Sequence, residues 1–195
     1  MSKQIFEIKQ LIQIARELDR VPKLATLNLR GFDFYKTDLS WADLTETNLT
    51  DSNLTKANLF QADLARANLT YAYLIKTHLF ATNLFRANLT HANLTGANLS
   101  WANLHRAELR WTNFFKANLR WANLSKASLY ESSFIKADLS DANLSEADLY
   151  EANLNGANLC GANLKQANLT SVDLRDTDLR GTQLPEDWQD VVRYF

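Results

Sequence analysis

Three histidines, one cysteine and a run of aspartates are the residues of this 195-residue chain whose types could do chemistry. His78, His91 and His105 could relay protons or hold a metal, if folding gathered them. Cys160 could act as a nucleophile, but no histidine or cation adjoins it in sequence to lower its thiol pKa. The stretch "SVDLRDTDLRG" (171–181) offers carboxylates, yet their spacing is looser than a calcium loop needs, and arginines stand between them. There is no glycine-rich phosphate loop and no Ser/His/Asp constellation. No catalytic residue, cofactor or metal is therefore expected. The ordered spacing belongs to other residues. Trp101, Trp111 and Trp121 stand ten apart, with Arg106, Lys116 and Lys126 between them. A count that strict comes from architecture.

The totals narrow the class. A chain of this length can bury a substantial core as one unit. Its formal net charge is −1 with 22% charged residues, so overall charge announces neither nucleic acid nor a lipid surface. A single cysteine excludes an internal disulfide framework. The N-terminal "MSKQIFEIKQLIQIARELDR" is charged throughout, unlike a secretory signal, and no stretch approaches the roughly 20 apolar residues of a membrane span. A cytoplasmic protein is expected.

The architecture is a period of five. From Leu29 to Leu184 every fifth residue is Leu or Phe, 32 consecutive positions with 29 Leu and three Phe. Two residues earlier stands Ala, Thr or Ser in 29 of the 32, and directly before each stands Asn 18 times and Asp eight times. Period five suits neither a helix nor a long flat strand. It suits short extended segments that turn every five residues, with the small residue and the Leu pointing inward and the Asn/Asp outward. The Asn/Asp side chain can then bond nearby turn amides. Stacked coils satisfy one another's backbone groups. The three histidines fall on different faces of such a stack, too far apart to cooperate.

The A(N/D)LXX repeat, as in "ANLTGANLS" and "ADLYEANLNGANLC", resembles the pentapeptide repeat protein family over about residues 27–186. The resemblance implies an all-β solenoid, a right-handed quadrilateral β-helix. Period five alone would also permit three sides. An even number is supported independently, because outward residues recur at lags of ten and twenty, and Phe34, Phe114 and Phe134 differ by multiples of twenty. Thirty-two units then make about eight coils. The expected organisation is a capping α-helix over 1–22, the β-helix over 23–186 and a short helical cap over 187–195. Ile5, Ile8, Leu11, Ile12, Ala15 and Leu18 form the first helix's apolar stripe, and Leu27 and Phe32 plug the first coil. Trp188, Val191, Val192 and Phe195 form a helical face that either closes the last coil or joins two chains. Similar family members dimerise through their C-terminal ends, so the resemblance supports a homodimer as the second of these alternatives.

With four sides, residues twenty apart stack into corner columns. Lys36, Lys56, Lys76, Gly96, Lys116 and Lys136 form one, and Glu46, Arg66, Arg86, Arg106, Lys126 and Glu146 the diagonal one. Tyr71, His91 and Trp111 fall on a third, Trp41, Trp101 and Trp121 on the fourth. Residues 64–130 carry a net +7, residues 136–195 a net −6. Stacked rings and cations can simply stabilise and solubilise a rod. Exposed hydrophobes beyond that need, Phe60 above Phe80 with Phe85, and Ile75, Phe115 and Ile135 elsewhere, mark a partner surface. The candidate partner-binding residues are Trp101, Trp111, Trp121, Arg110, Arg120, Phe60, Phe80, Arg66, Arg86 and Arg106.

The resulting reading is a non-enzymatic, rigid rod for an unidentified protein partner. The family's best-understood role, imitating duplex DNA at a type II topoisomerase and so protecting it from quinolones, is opposed by the basic centre. Nucleic-acid binding through the Trp and Arg/Lys columns is opposed by the acidic third.

Overall fold

The computed structural model describes residues 2–18 and 20–193, with side chains described from Glu7 onward except at Val191. Between Lys23 and Gln183 the chain forms a ladder of single-residue parallel β-bridges, each joining residues twenty apart, from Lys23–Asp43 to Asn163–Gln183. Twenty residues per coil divided by a five-residue repeat gives four sides. The three-sided alternative is excluded.

In a repeat that carries Asn or Asp before the inward Leu or Phe, each N–H has a separate destination. In Ala97–Trp101, Ala97 N–H donates to Leu94 C=O (2.9 Å) and closes the preceding turn. Asn98 N–H reaches back to Thr77 C=O (3.0 Å), while Leu99 and Trp101 N–H reach forward to Asn118 (2.7 Å) and Arg120 (3.0 Å). Ser100 N–H is left over, pointing away from both neighbouring coils. It donates to the Asn98 side-chain Oδ1 at 3.2 Å. The same bond recurs down the rod, for example Phe60 to Asn58, Phe115 to Asn113 and Cys160 to Asn158. A conserved backbone need thus explains a polar residue in a strand-like position. Six repeats depart from this rule: Tyr73, His78, Glu108, Ser128 and Ser133 stand in the Asn/Asp position without this bond, and at the last repeat Gln183 is followed two residues on by Pro185, which has no N–H to satisfy.

The turns demand a second concession. Every fifth residue from Thr26 to Gly181 has φ between 50° and 71°, the left-handed region, and all five glycines of the chain stand at this position. The remaining occupants carry a Cβ and cost roughly 1–2 kcal/mol each in this conformation. The inter-coil hydrogen bonds and the core must offset that cost.

The core is a column of paired Ala and Leu, nearly all at or below 2% exposure. Phe114 and Phe134 share one face and stack at 4.6 Å. Where Thr replaces Ala, its hydroxyl donates to a Leu carbonyl of the preceding coil, as Thr47 does to Leu24 (2.9 Å).

The ends differ from the expectation in detail. Helix α1, Ser2–Glu17, contributes Ile8 and Ile12 to the core beside Leu24 and Phe32. Leu11 and Leu18, expected in the same stripe, are exposed, as is Leu27, expected in the plug. The open end of a coil is only a few side chains wide, so a helix across it buries a narrow strip. Ile5's side chain lies outside the described ones. At the other end α2 is a single turn, Trp188–Val191, and Val192 is already extended (ψ 148°), so no helical face continues toward Phe195, which lies outside the described residues. Trp188 and Val192 pack with Leu179 and Leu184 against the core, and Arg193 N–H bonds Val172 C=O (2.9 Å), repeating the ladder's spacing once more.

Two measurements check this account. Deleting residues 81–100 removes one whole coil and keeps every column in register, whereas deleting 96–100 rotates everything beyond the cut by one side; denaturant melts should rank the longer deletion as the more stable. Asn98→Ala strands the buried Ser100 N–H and should cost about 1–3 kcal/mol by the same method.

Candidate partner-binding surface

Each repeat leaves two turn residues unconstrained by the ladder or the core. The second has the left-handed φ and projects from a corner, so its side chain is the most exposed. Its neighbours in space are the residues twenty away, one coil spacing along the axis.

Trp101 and Trp121 occupy such positions at φ 62° and 57°. Their rings stack at 5.2 Å with 23° between planes and stay 57% and 41% exposed. The Arg120 guanidinium lies 4.4 Å from the Trp121 ring centre, in cation–π contact, and 4.0 Å from the Asp138 carboxylate. Further along this corner Trp41 meets Phe60 edge-on (5.6 Å), and Phe60 stacks on Phe80 (5.6 Å, 9°). Phe60 and Phe80 are half-buried, not the exposed patch expected from sequence, as are Phe85, Ile75, Phe115 and Ile135. The first turn residue lies flatter against the coil than the second, which withdraws part of its side chain from water.

Trp111 lies on the diagonally opposite corner, so the three tryptophans do not form one site. It belongs to a five-ring column: Tyr71 stacks on His91 (4.8 Å), His91 on Trp111 (4.9 Å), Trp111 meets Tyr130 edge-on (5.5 Å) and Tyr130 stacks on Tyr150 (5.4 Å). Arg110 sits 5.8 Å from the Trp111 ring and pairs with Glu108 at 3.6 Å. Arg110, Trp111, Ser128, Tyr130 and Asp148 line a shallow depression of ≈ 360 Å³. Tyr130 and Tyr150 escaped the sequence reading because they occupy the first turn position, whereas the column below uses the second. Their twenty-residue spacing was the available signal. The Tyr130 phenol is hydrogen-bonded to Glu131, and burial and neighbouring carboxylates add to the effect, so its pKa is pushed up to about 12.

The arginines on a third corner have different partners. Arg66 pairs with Glu46 (3.1 Å), Arg86 lies over Phe85 (5.2 Å), and Arg106 is exposed. His105 bonds Ser125 Oγ through Nδ1 (2.7 Å) and stacks on Phe85, while His91 is sandwiched between rings. Among the described residues no three His, Cys, Asp or Glu side chains gather as metal ligands. Half-buried Cys160 has Arg180 one coil further on, engaged with Asp178 at 2.6 Å.

A family model for pentapeptide repeats matches residues 24–59, 47–84, 82–120, 112–149 and 147–184. The chain belongs to the pentapeptide repeat family. Members fold as right-handed quadrilateral β-helices, in agreement with the four-sided ladder. Among solved structures this pentapeptide repeat protein is similar to HetL, involved in heterocyst differentiation regulation in the cyanobacterium Nostoc sp. strain PCC 7120, at 32% identity over 90% of this chain and 96% of that one (TM-score 0.39). Trypsin-treated QnrB1, a plasmid-mediated fluoroquinolone resistance protein, matches at 21% identity over 87% and 92% with TM-score 0.52, a likeness of fold alone. Rfr23 from the cyanobacterium Cyanothece 51142 is 24% identical over 90% and 94% (TM-score 0.27). No curated protein matches. No helix among the described residues is long and apolar enough to cross a membrane.

The Tyr130–Glu131 bond has a spectroscopic consequence. In an ultraviolet titration Tyr130 should resist ionisation until about pH 12, and Glu131→Gln should bring that transition down toward the ordinary tyrosine range.

Proposed function

We propose that this pentapeptide repeat protein is a non-catalytic interaction rod that presents the Trp101–Trp121–Arg120 corner to a protein partner. The observation that carries the reading is a bulky aromatic at a left-handed turn position. Glycine serves that position without strain elsewhere on the rod, at Gly96 and Gly156. A tryptophan there costs roughly 1–2 kcal/mol of backbone strain. Stacking on its neighbour returns about 0.5–1.5 kcal/mol. The fold gains little from the exchange, while exposed aromatics beside an arginine are favoured interface anchors. Among the described residues, a filled core without insertions leaves only open surface depressions, which suits binding better than desolvation of a reacting substrate. A cytoplasmic location suits the unpaired Cys160.

At the C-terminal end, Trp188 and Val192 lie against the last coil, which favours a lid over a dimer contact as their role. Fluoroquinolone resistance is the printed role of QnrB1. Carrying that role over to this chain is opposed by its basic waist, where residues 64–130 hold a net +7. This rod is expected to leave DNA gyrase unprotected from quinolones in a supercoiling assay.

The test is Trp101→Ala with Trp121→Ala. Circular dichroism should persist, and melting should report only the loss of the stacked pair, about 0.5–1.5 kcal/mol, because alanine keeps the left-handed turn. Affinity for a partner recovered with the parent rod should drop by about 2 kcal/mol or more. A variant that unfolds, with the remaining folded fraction still binding the partner, would show that the stacked pair is scaffold.

A further inference from the structure

The two cationic corners are not equivalent. On the arginine corner both ends are closed by glutamate: Arg66 pairs with Glu46 at 3.1 Å, and Lys126 with Glu146 at 3.3 Å. On the diagonal corner Lys36, Lys56, Lys76, Lys116 and Lys136 are all exposed, and among the described residues none pairs with a carboxylate. Like charges stacked coil upon coil destabilise a ladder. Each of these lysines also holds a left-handed φ of 55–58°. The edge thus adds charge repulsion to the backbone cost common to every corner; the Lys36 and Lys56 ammoniums lie 5.2 and 6.0 Å from the Tyr35 ring centre, but no ion pair offsets the repulsion.

We propose that this lysine edge, with half-buried Ile75, Phe115 and Ile135 beside it, docks an acidic amphipathic helix of a partner protein laid along the rod axis. The proposal rests on the reading of the protein as an interaction rod, but it assigns a different corner and a chemistry. The side-chain geometry supports it. A Cβ built on Gly96 or Gly156 would come within 3.5 Å of Lys76 Cγ or 3.4 Å of Lys136 Cγ, so these stems lean along the edge over the glycine of the next coil. The Lys116 ammonium lies 5.1 Å from the Phe115 ring centre, placing charge directly beside an apolar surface.

Spacing selects a helix. Coils rise about 4.8 Å each, and an α-helix advances about 5.4 Å per turn. Carboxylates at i, i+3/i+4 and i+7 therefore meet successive lysines with a drift of about 0.6 Å per turn, which the flexible lysine stems absorb. Same-side residues of an extended strand recur at about 6.8 Å and fall out of step within two coils. Between Lys36 and Lys136 the cations of this edge are all lysine, without the forked arginine donors suited to phosphate, which disfavours a nucleic acid. A second copy of this chain fits poorly, because its stacked acids Glu131 and Glu151 cover two adjacent coils of a corner whose next residue is Ser171.

Fluorescence anisotropy with a labelled synthetic peptide tests this. The probe is a helix of about 18 residues, with glutamates along one face and leucines beside them; a scrambled peptide of the same composition is the control. The parent rod should bind the ordered probe more tightly, with affinity falling as salt rises. Lys56→Glu/Lys76→Glu/Lys116→Glu should weaken binding by about tenfold or more. Lys23→Glu/Lys126→Glu/Lys165→Glu, the same charge change off this edge, should weaken it less than about threefold. If the first variant fails to fold by circular dichroism, Lys76→Gln/Lys116→Gln decides the same question. Equal binding of the scrambled peptide, equal loss in both triple variants, or tighter binding of a single-stranded oligonucleotide of equal charge would overturn the proposal. So would sedimentation showing that the parent self-associates and the lysine variant does not. Trp101→Ala/Trp121→Ala tested against the same probe should bind as the parent does, so failure of the aromatic corner and of the lysine edge are read separately.

Discussion

One backbone amide in five governs the molecule. A chain that turns every five residues can pair four of its N–H groups with the turn and the two neighbouring coils, but the first turn residue points its N–H at neither. Asn or Asp two residues earlier supplies the missing acceptor, and the Asn98–Ser100 pair shows the geometry at 3.2 Å. Without that acceptor each of these repeats would strand a donor at a cost of about 1–3 kcal/mol. Summed over the 26 repeats that carry Asn or Asp, such a cost exceeds the stability of an ordinary domain. The same side chains also bond along the axis, as Asn58 does to Asp38 (2.9 Å) and Asn168 to Asp148 (2.8 Å), so one residue type locks both the turn and the stack.

Meeting this constraint with three residues of each repeat frees the other two. The turn pair can vary widely, provided that the second member tolerates φ near +57°. That freedom explains why charge and aromaticity collect in columns. A substitution at one turn meets mainly its own turn partner and the turns one coil above and below, so like residues twenty apart reinforce one another. The stacked rings from Tyr71 to Tyr150 gain from this arrangement. The stacked lysines lose by it. An interaction surface is therefore sought most usefully where the column works against the fold.

The rings stack through their faces, so a partner docked as proposed would meet mainly their edges and the adjoining guanidinium groups. This geometry favours a protein contact built of packed side chains over stacking by bases or sugars. It also explains why Arg120, held 4.4 Å from Trp121, belongs to the exposed corner as much as the tryptophans do.

The period of five, the inward Ala and Leu, the bonding role of Asn/Asp and the shared face of Phe34, Phe114 and Phe134 were all legible in the sequence, because each is a local rule repeated many times. The stacking of Trp101 on Trp121 followed directly once twenty residues made a coil. The left-handed turns and the burial of Phe60 and Phe80 were decided by tertiary structure, since the corner angle and inter-coil spacing determine which side chains leave the water. The ends were decided there too. Leu11 and Leu18 fit a helical stripe by count, yet the narrow mouth of a coil accepts only Ile8 and Ile12. Trp188 and Val192 meet the core although α2 lasts a single turn. A repeat carries its instructions in every copy, while an end has one chance to pack and depends on the shape it meets.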